Sequence, residues 1–150
     1  MPLSRWLVLL ALLLLAPVAH AQSVTPGQTF TARVVEVTDG DTYDVRRASG
    51  GTVPVRLHGV DAPETDQPYG AAATRAARRY VGGKRVRVTV EDIGVYGRAV
   101  AALTLQGGDL GALLLRDGLA WHYERYAPNA TEYARLQRQA RNGSRGLWAS

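Results

Sequence analysis

The chain contains no cysteine among its 150 residues, and it has only one phenylalanine and three histidines. The lack of cysteine excludes a disulfide framework and any thiolate-ligated metal site. A domain of this size therefore has to be held together by an apolar core. His58 and His122 have no second histidine or asparagine motif near them, so we interpret both as structural residues rather than metal ligands.

Lysine is almost absent as well, since one of the eighteen basic residues is Lys84 and the other seventeen are arginine. The formal net charge is +5. A moderately basic domain is attracted to polyanions, but mild basicity is common, so charge alone favours a nucleic-acid partner only weakly.

The chain also lacks an apolar run long enough to span a bilayer, which needs about 20 residues. Its apolar run, Trp6–Leu15, follows Arg5 and is followed by Pro17 and the small-x-small sequence Ala19-His20-Ala21. This order is typical of a secretory signal peptide. We therefore predict a signal at residues 1–21, a flexible lead-in at 22–28, and one domain at 29–150. The mature protein is expected in the periplasm or outside the cell, without membrane association.

Period-two alternation of apolar residues predicts strands, most plainly where Val86, Val88 and Val90 alternate with polar residues. Strands are predicted at 30–37, 42–47, 53–58, 84–91 and 98–105, and helices at 68–81, 110–117 and 129–142. This order fits a mainly β protein with α elements (α+β), a five-stranded Greek-key barrel of the OB type with three helices. A sheet of another topology with helices on one side remains the alternative.

Carboxylates and arginines are concentrated in three short blocks at 39–42, 56–65 and 96–98. Clustered carboxylates repel one another unless a cation lies between them. Asp41 and Asp61 both lie in predicted turns, which can direct their side chains to one point. Oxygen ligands of this kind favour Ca²⁺ or Mg²⁺ over zinc.

The same blocks contain the groups that phosphodiester hydrolysis requires. Arg56 and Arg98 can donate in bidentate fashion to a phosphate, which lysine does less well. Glu64 follows Asp61 by three residues and is a candidate general base. Each residue taken alone has an ordinary structural explanation, so it is their occurrence together that indicates a nuclease.

With these blocks in view, the chain from about residue 31 to 148 resembles the staphylococcal nuclease family. The matching blocks are Asp39-Gly40-Asp41-Thr42, Arg56-Leu57-x-x-Val60-Asp61-x-Pro63-Glu64-Thr65, Tyr69-Gly70, Tyr96-Gly97-Arg98, Gly118-Leu119-Ala120 and Gly146-Leu147-Trp148.

The resemblance implies an OB barrel that cleaves DNA and RNA endonucleolytically and leaves 3′-phosphorylated products. It implies one Ca²⁺ ion held by Asp41, Asp61 and the backbone carbonyl of Ala62, with Asp39 in the outer shell. Glu64 would be the general base, and Arg56 and Arg98 would stabilise the transition state.

The resemblance further implies that Tyr96 and Tyr126 contact the substrate. Single-stranded or unpaired nucleic acid is the expected substrate, and the protein is expected to be a monomer. The chain departs from the family at the rim of the site, where Val95 replaces a lysine and Glu124 replaces a tyrosine. The loop after Glu64 is also shorter.

Two other classes of function remain open. One is a non-catalytic OB module that binds nucleic acid or a protein partner. The other is a structural domain that binds Ca²⁺ without hydrolysing anything. The complete set of catalytic residue types favours the enzyme.

Overall fold

The computed structural model describes residues 23–149, in which eight strands and three helices alternate. The strands are β1 (Thr29–Val37), β2 (Thr42–Arg47), β3 (Thr52–Leu57), β4 (Val60–Asp61), β5 (Arg85–Ile93), β6 (Ala99–Leu105), β7 (Gly108–Asp109) and β8 (Trp121–His122). The helices are α1 (Gly70–Val81), α2 (Leu110–Arg116) and α3 (Thr131–Asn142). The predicted signal peptide lies outside the described residues.

Five strands form a closed barrel, in the order β3-β2-β1-β5-β6. Neighbouring strands are antiparallel, except that β3 and β6 close the barrel in parallel. Small bulges interrupt the register between Val34 and Glu36 in β1 and between Val90 and Asp92 in β5. The predicted α+β fold of OB type is therefore confirmed, and the bulge in β1 explains its imperfect alternation.

The core fills the barrel with small branched side chains. Alternating residues of each strand point inward, as in β3, where Val53, Val55 and Leu57 are buried and the residues between them are not. Tyr43 is the largest fully buried side chain. With one phenylalanine in the chain, valine and leucine do the packing, which suits the narrow interior of a five-stranded barrel.

The helices pack against the barrel and against one another. Ala73, Ala76 and Ala77 form the fully buried face of α1. Asp109 caps α2, since its Oδ1 accepts hydrogen bonds from the Ala112 N–H and from the Tyr133 hydroxyl of α3, each at 2.7 Å. One carboxylate therefore fixes the start of α2 and also joins it to α3.

The C-terminal turn is locked by two glycines. Gly118 and Gly146 have positive φ values of 70° and 53°, and the Leu147 N–H donates to the Gly118 carbonyl at 2.8 Å. A Cβ on Gly118 would lie 2.2 Å from the Arg145 carbonyl oxygen. Side chains are excluded at both positions by close backbone contact as well as by conformation.

The described part of the predicted lead-in is attached to the barrel. Val24 is buried in the core, and the Gly27 N–H donates to the Val90 carbonyl at 2.8 Å. Val90 in turn donates to the Gln28 carbonyl. Gly27 and Gln28 thus pair with Val90 of β5, just before β1 begins. Within residues 23–149, no helix combines the length and hydropathy needed to cross a bilayer.

Candidate active site

The turn between β1 and β2 holds its carboxylates by hydrogen bonds to the backbone. Asp39 Oδ1 accepts from the Asp41 N–H at 3.0 Å, and Asp41 Oδ2 accepts from the Ala62 N–H at 2.6 Å. The close approach of the two turns requires a glycine, because a Cβ on Gly40 would lie 2.6 Å from Ala62 Cβ. The first block of the sequence motif is therefore fixed against the second.

Arg56 joins the two predicted metal ligands. Its Nη1 lies 3.3 Å from Asp41 Oδ1, and its Nη2 lies 2.6 Å from Asp61 Oδ1. The side chain of Asp41 is 3% exposed and that of Asp61 is 48% exposed. Asp39, Asp41, Arg56 and Asp61 thus form one contiguous group, which we call the charged corner.

The electrostatics of the charged corner favour a cation. The pKa of Asp41 is raised to about 6, chiefly by burial and to a smaller extent by the charges of Asp39 and Asp61, against the lowering effects of the Ala62 N–H and Arg56. A buried carboxylate in that environment is stabilised by additional positive charge. The sequence could not show this, because it depends on how deeply the β1–β2 turn is buried.

The chemistry of the donor set fits a hard divalent cation such as Ca²⁺. Asp41 and Asp61 offer carboxylate oxygens, and the hydrogen bond to its N–H holds the Ala62 backbone beside Asp41. Within residues 23–149, no group of three or more His, Cys, Asp or Glu side chains is arranged to hold a metal. A cation here would therefore depend on two carboxylates, backbone oxygen and water. The ligand roles of Asp41, Asp61 and Ala62, and the outer-shell role of Asp39, stay predictions.

The parallel pairing of β3 with β6 brings the second arginine to the first. Val55 pairs with Ala99 and Arg56 pairs with Val100, so Arg98, just before β6, lies two residues from the partner of Arg56 on the neighbouring strand. Both arginines line one cleft of about 290 Å³. The Nε of Arg98 is buried and has no hydrogen-bond partner among residues 23–149. It is a donor without an acceptor, at the wall of a cleft.

Two tyrosines also line the cleft. Tyr123 and Tyr126 contact each other edge to face, with ring centroids 4.7 Å apart, and Tyr126 is 57% exposed. Tyr96, the other predicted substrate contact, has φ 60° in the turn before β6 and is completely exposed at 102%. It does not line the cleft, whereas its neighbour Val95 does.

Glu64 lies in the loop between β4 and α1, on the exposed surface. Its carboxylate has no hydrogen bond or ion pair with any residue in the described range, and it does not line the cleft with the arginines. Its backbone is nevertheless tightly packed against Gly70. The contact is so close that a Cβ on Gly70 would lie 1.7 Å from the Glu64 carbonyl oxygen. The Glu64 N–H also donates to Gln67 Oε1 at 2.9 Å.

The cleft includes residues that sequence reasoning missed. Asp92 lines the cleft. Strand alternation alone does not predict which face of the sheet Asp92 lies on, because the bulge between Val90 and Asp92 interrupts the alternation in β5. His58, which we interpreted as structural, also lines it. His122 is buried as expected, and its Nε2 lies 3.0 Å from the Ala127 carbonyl oxygen.

Comparison with known proteins agrees with this geometry. The family model described as staphylococcal nuclease homologue matches residues 54–150, which is more than half of the chain. The chain belongs to the staphylococcal nuclease family. The resemblance read from the motifs is thereby confirmed.

Bacterial family members match over most of their length. A micrococcal nuclease of Shigella flexneri is 33% identical over 144 residues, covering 89% of this chain and 82% of the relative. An uncharacterized endonuclease of Escherichia coli O157:H7 is 39% identical over 118 residues, covering 78% of this chain and 76% of the relative.

Plant family members are much longer. The probable staphylococcal-like nuclease CAN2 of Oryza sativa subsp. japonica is 38% identical over 96 residues, which are 64% of this chain but 26% of the relative. The chain thus spans about a quarter of the length of such plant relatives. What it shares with them is the nuclease-like domain.

Proposed function

We propose that this protein is an exported, calcium-dependent nuclease that hydrolyses phosphodiester bonds of DNA and RNA with little sequence specificity. Membership of the staphylococcal nuclease family supports the reaction class. The observation that carries the proposal is the cleft shared by Arg56 and Arg98, beside two carboxylates suited to a hard cation.

Both arginines would bind the phosphate, but they differ in how far their side chains are held in place before it binds. Arg56 is held by Asp41 and Asp61, so its orientation is set before substrate arrives. Arg98 has an unpartnered buried Nε, and a phosphate oxygen would satisfy that donor. Donors fixed around the reacting phosphate stabilise the charge that develops in the transition state, and this is commonly the largest single contribution to catalysis.

Glu64 is the group assigned to deprotonate the attacking water. It is exposed and unpaired, so its carboxylate is free to accept a proton, and Gly70 holds its backbone in place. A Ca²⁺ ion bound by Asp41, Asp61 and the Ala62 carbonyl would supply positive charge to the phosphate. Products with a 3′-phosphate are expected from the family resemblance.

Specificity is expected to be weak, because arginines and cation address the phosphate and do not read base edges. Tyr123 and Tyr126 offer aromatic faces on which bases of either sugar type can stack. Stacking requires unpaired bases, which supports a preference for single-stranded substrates. Export is proposed from the signal pattern at residues 1–21, and N-terminal sequencing of the mature protein would test it.

A nuclease assay on the purified protein tests the proposal. With Ca²⁺ we expect cleavage of single-stranded DNA and RNA, and with EGTA we expect none. Glu64→Ala and Arg98→Ala should each lower turnover by about two orders of magnitude or more while the protein stays folded. Asp66→Ala and Arg75→Ala are matched controls, since both residues are exposed and lie outside the cleft.

Full activity of Glu64→Ala or Arg98→Ala would refute the assigned roles. Activity that persists in EGTA with Mg²⁺ alone would refute the choice of Ca²⁺. Binding of single-stranded DNA without any cleavage would instead favour the non-catalytic OB module. A Ca²⁺-dependent rise in Tm without binding or cleavage of nucleic acid would favour the structural domain.

A further inference from the structure

Three arginines stand side by side on the outer face of the barrel, away from the cleft. Arg33 of β1 pairs with Arg46 of β2 on one side and with Arg85 of β5 on the other. Residues paired directly across antiparallel strands point to the same face of the sheet. All three side chains are exposed. We call this set the arginine row.

The arginine row is not neutralised by the protein. Within residues 23–149 none of its members forms an ion pair with a carboxylate. The one hydrogen bond that the row makes runs from Arg33 Nη1 to the Gly83 carbonyl, at 2.6 Å. Like charges directly opposite each other destabilise a sheet, so the free protein gains nothing from this arrangement.

The row borders a concavity rather than a flat surface. The concavity has a volume of about 290 Å³, and four of its eight lining residues are arginines, the three of the row and Arg47. None of the other four is acidic. Arg47 is fixed beside the row, with its Cζ 4.0 Å from the centroid of the Phe30 ring.

One acidic pair borders the row along the strands. Glu36 and Asp44 are paired across β1 and β2, on the far side of the bulge from Arg33 and Arg46. Burial and the charge of Glu36 raise the pKa of Asp44. An anion is therefore favoured across the strands, along the row, and disfavoured directly over this pair.

From this arrangement we propose that the arginine row is a second binding site for the phosphate backbone of a single-stranded polynucleotide, outside the catalytic cleft. The inference rests on the proposed function for the identity of the polyanion. Neighbouring strands lie about 4.8 Å apart, so the row spans about 10 Å. That length is enough for the row to contact more than one phosphate of a single strand.

The same sheet connects the row to the cleft. Thr42, at the other end of β2, pairs with Arg56, and Arg46 lies four residues further along that strand. Four residues of a strand cover about 13 Å. The Glu36–Asp44 pair lies between the two sites, so a polynucleotide engaged at both would have to pass beside that pair, and a dinucleotide would reach only the cleft.

Binding of a labelled single-stranded oligonucleotide of about 30 residues, measured by fluorescence anisotropy in EDTA, tests the proposal without hydrolysis. Arg46→Gln with Arg85→Gln should weaken binding about tenfold near 0.15 M salt and reduce the slope of log K against log salt by about 1.4. Affinity for a dinucleotide, which fills only the cleft, should not change. The Arg46→Lys, Arg85→Lys variant retains both charges and should keep the slope of the unaltered protein.

The matched control is Arg75→Gln with Arg138→Gln, which removes the same charge from exposed positions of α1 and α3. Equal losses in the row variant and the control would overturn the proposal, as would a parallel loss of dinucleotide affinity. Lost binding to phosphatidylglycerol vesicles with unchanged oligonucleotide binding would assign the row to membranes and overturn it too. These readouts do not depend on cleavage, so a failure of the nuclease assay leaves them interpretable.

Discussion

The charged corner and the tyrosines near the cleft are built in opposite ways. In the charged corner, every side chain is held by another residue. Asp41, for example, contacts both Arg56 and the Ala62 N–H. The tyrosine rim, by which we mean Tyr96, Tyr123 and Tyr126, is exposed, and Tyr96 makes no contact with the cleft.

The difference is what we expect if the charged corner stabilises the transition state and the tyrosine rim binds the bases of the substrate. Groups that stabilise a transition state have to be fixed beforehand, because reorganisation at the moment of reaction costs free energy. Stacking surfaces tolerate movement, since every base presents a flat face. The positions where this chain departs from its family, Val95 and Glu124, also lie in or beside the rim.

The largest effect is expected from Asp41→Asn. The amide keeps the size of the side chain but removes the charge that Arg56 and a cation require, so turnover should fall by at least about 100-fold. Steady-state kinetics on single-stranded DNA with Ca²⁺ measure it. Asp44→Asn is the control, because Asp44 lies only three residues further along the chain, in β2, and is partly buried but is not in the corner; equal losses in the two variants would contradict the comparison.

Substituting one glycine near Glu64 and one in the turn before β6 compares the backbone rigidity of the two regions. In Gly70→Ala the new Cβ would overlap the Glu64 carbonyl, with 1.7 Å between the atoms, so the free energy of unfolding should fall by about 2–4 kcal/mol. Gly97→Ala places a Cβ in open space at φ 74°, and should cost only about 1–2 kcal/mol for the conformation.

Urea titration measures the free energy of unfolding of both glycine variants. Turnover of the folded protein should fall in Gly70→Ala, because Glu64 moves with its backbone, and not in Gly97→Ala. A Gly97→Ala variant that loses as much stability as Gly70→Ala would show that the rim is as rigid as the corner.

Within the rim, the two predicted substrate tyrosines should behave differently. Tyr126→Ala removes a stacking face from the cleft and should raise KM for single-stranded DNA about tenfold with kcat nearly unchanged. Tyr96→Ala should change neither value, because Tyr96 is fully exposed and is not among the residues that line the cleft. If Tyr96→Ala raised KM as much as Tyr126→Ala, the turn before β6 would have to close over bound substrate.

A smaller effect should follow from pH. Burial raises the pKa of Asp41 to about 6, above its ordinary value, so the folded protein binds a proton there that the unfolded chain releases. In the metal-free protein this contribution to stability is present below pH 4 and is lost as pH rises through about 6. A cation needs the carboxylate ionised, so its affinity should fall up to about tenfold between pH 6 and pH 5.

Calorimetric titration with Ca²⁺ at several pH values measures that dependence. Asp61→Asn is the comparison variant: it should weaken Ca²⁺ binding and, because the charge of Asp61 contributes to raising the pKa of Asp41, should also move the pH dependence towards lower pH. A Ca²⁺ affinity that is constant from pH 5 to pH 7 would contradict the buried environment of Asp41.

Much of the fold was predictable from the sequence because its signals are local. Alternation placed the barrel strands to within a few residues, Asp109 marked the start of α2, and the glycine at 82 marked the end of α1. The residue types of the charged corner were predictable for the same reason, since they stand in short blocks. Local signals failed at the bulge beside Asp92, where pairing with a distant strand decides the conformation.

The sequence by itself therefore determined which groups are present and on which face of each strand they lie. Tertiary structure decided which of them meet. The parallel pairing of β3 with β6 brought Arg98 to Arg56, and the pairing of β4 with β8 brought the chain before Tyr123 and Tyr126 to the cleft. Both pairings join segments more than forty residues apart, and only burial of the shared core favours them over other closures of the same strands.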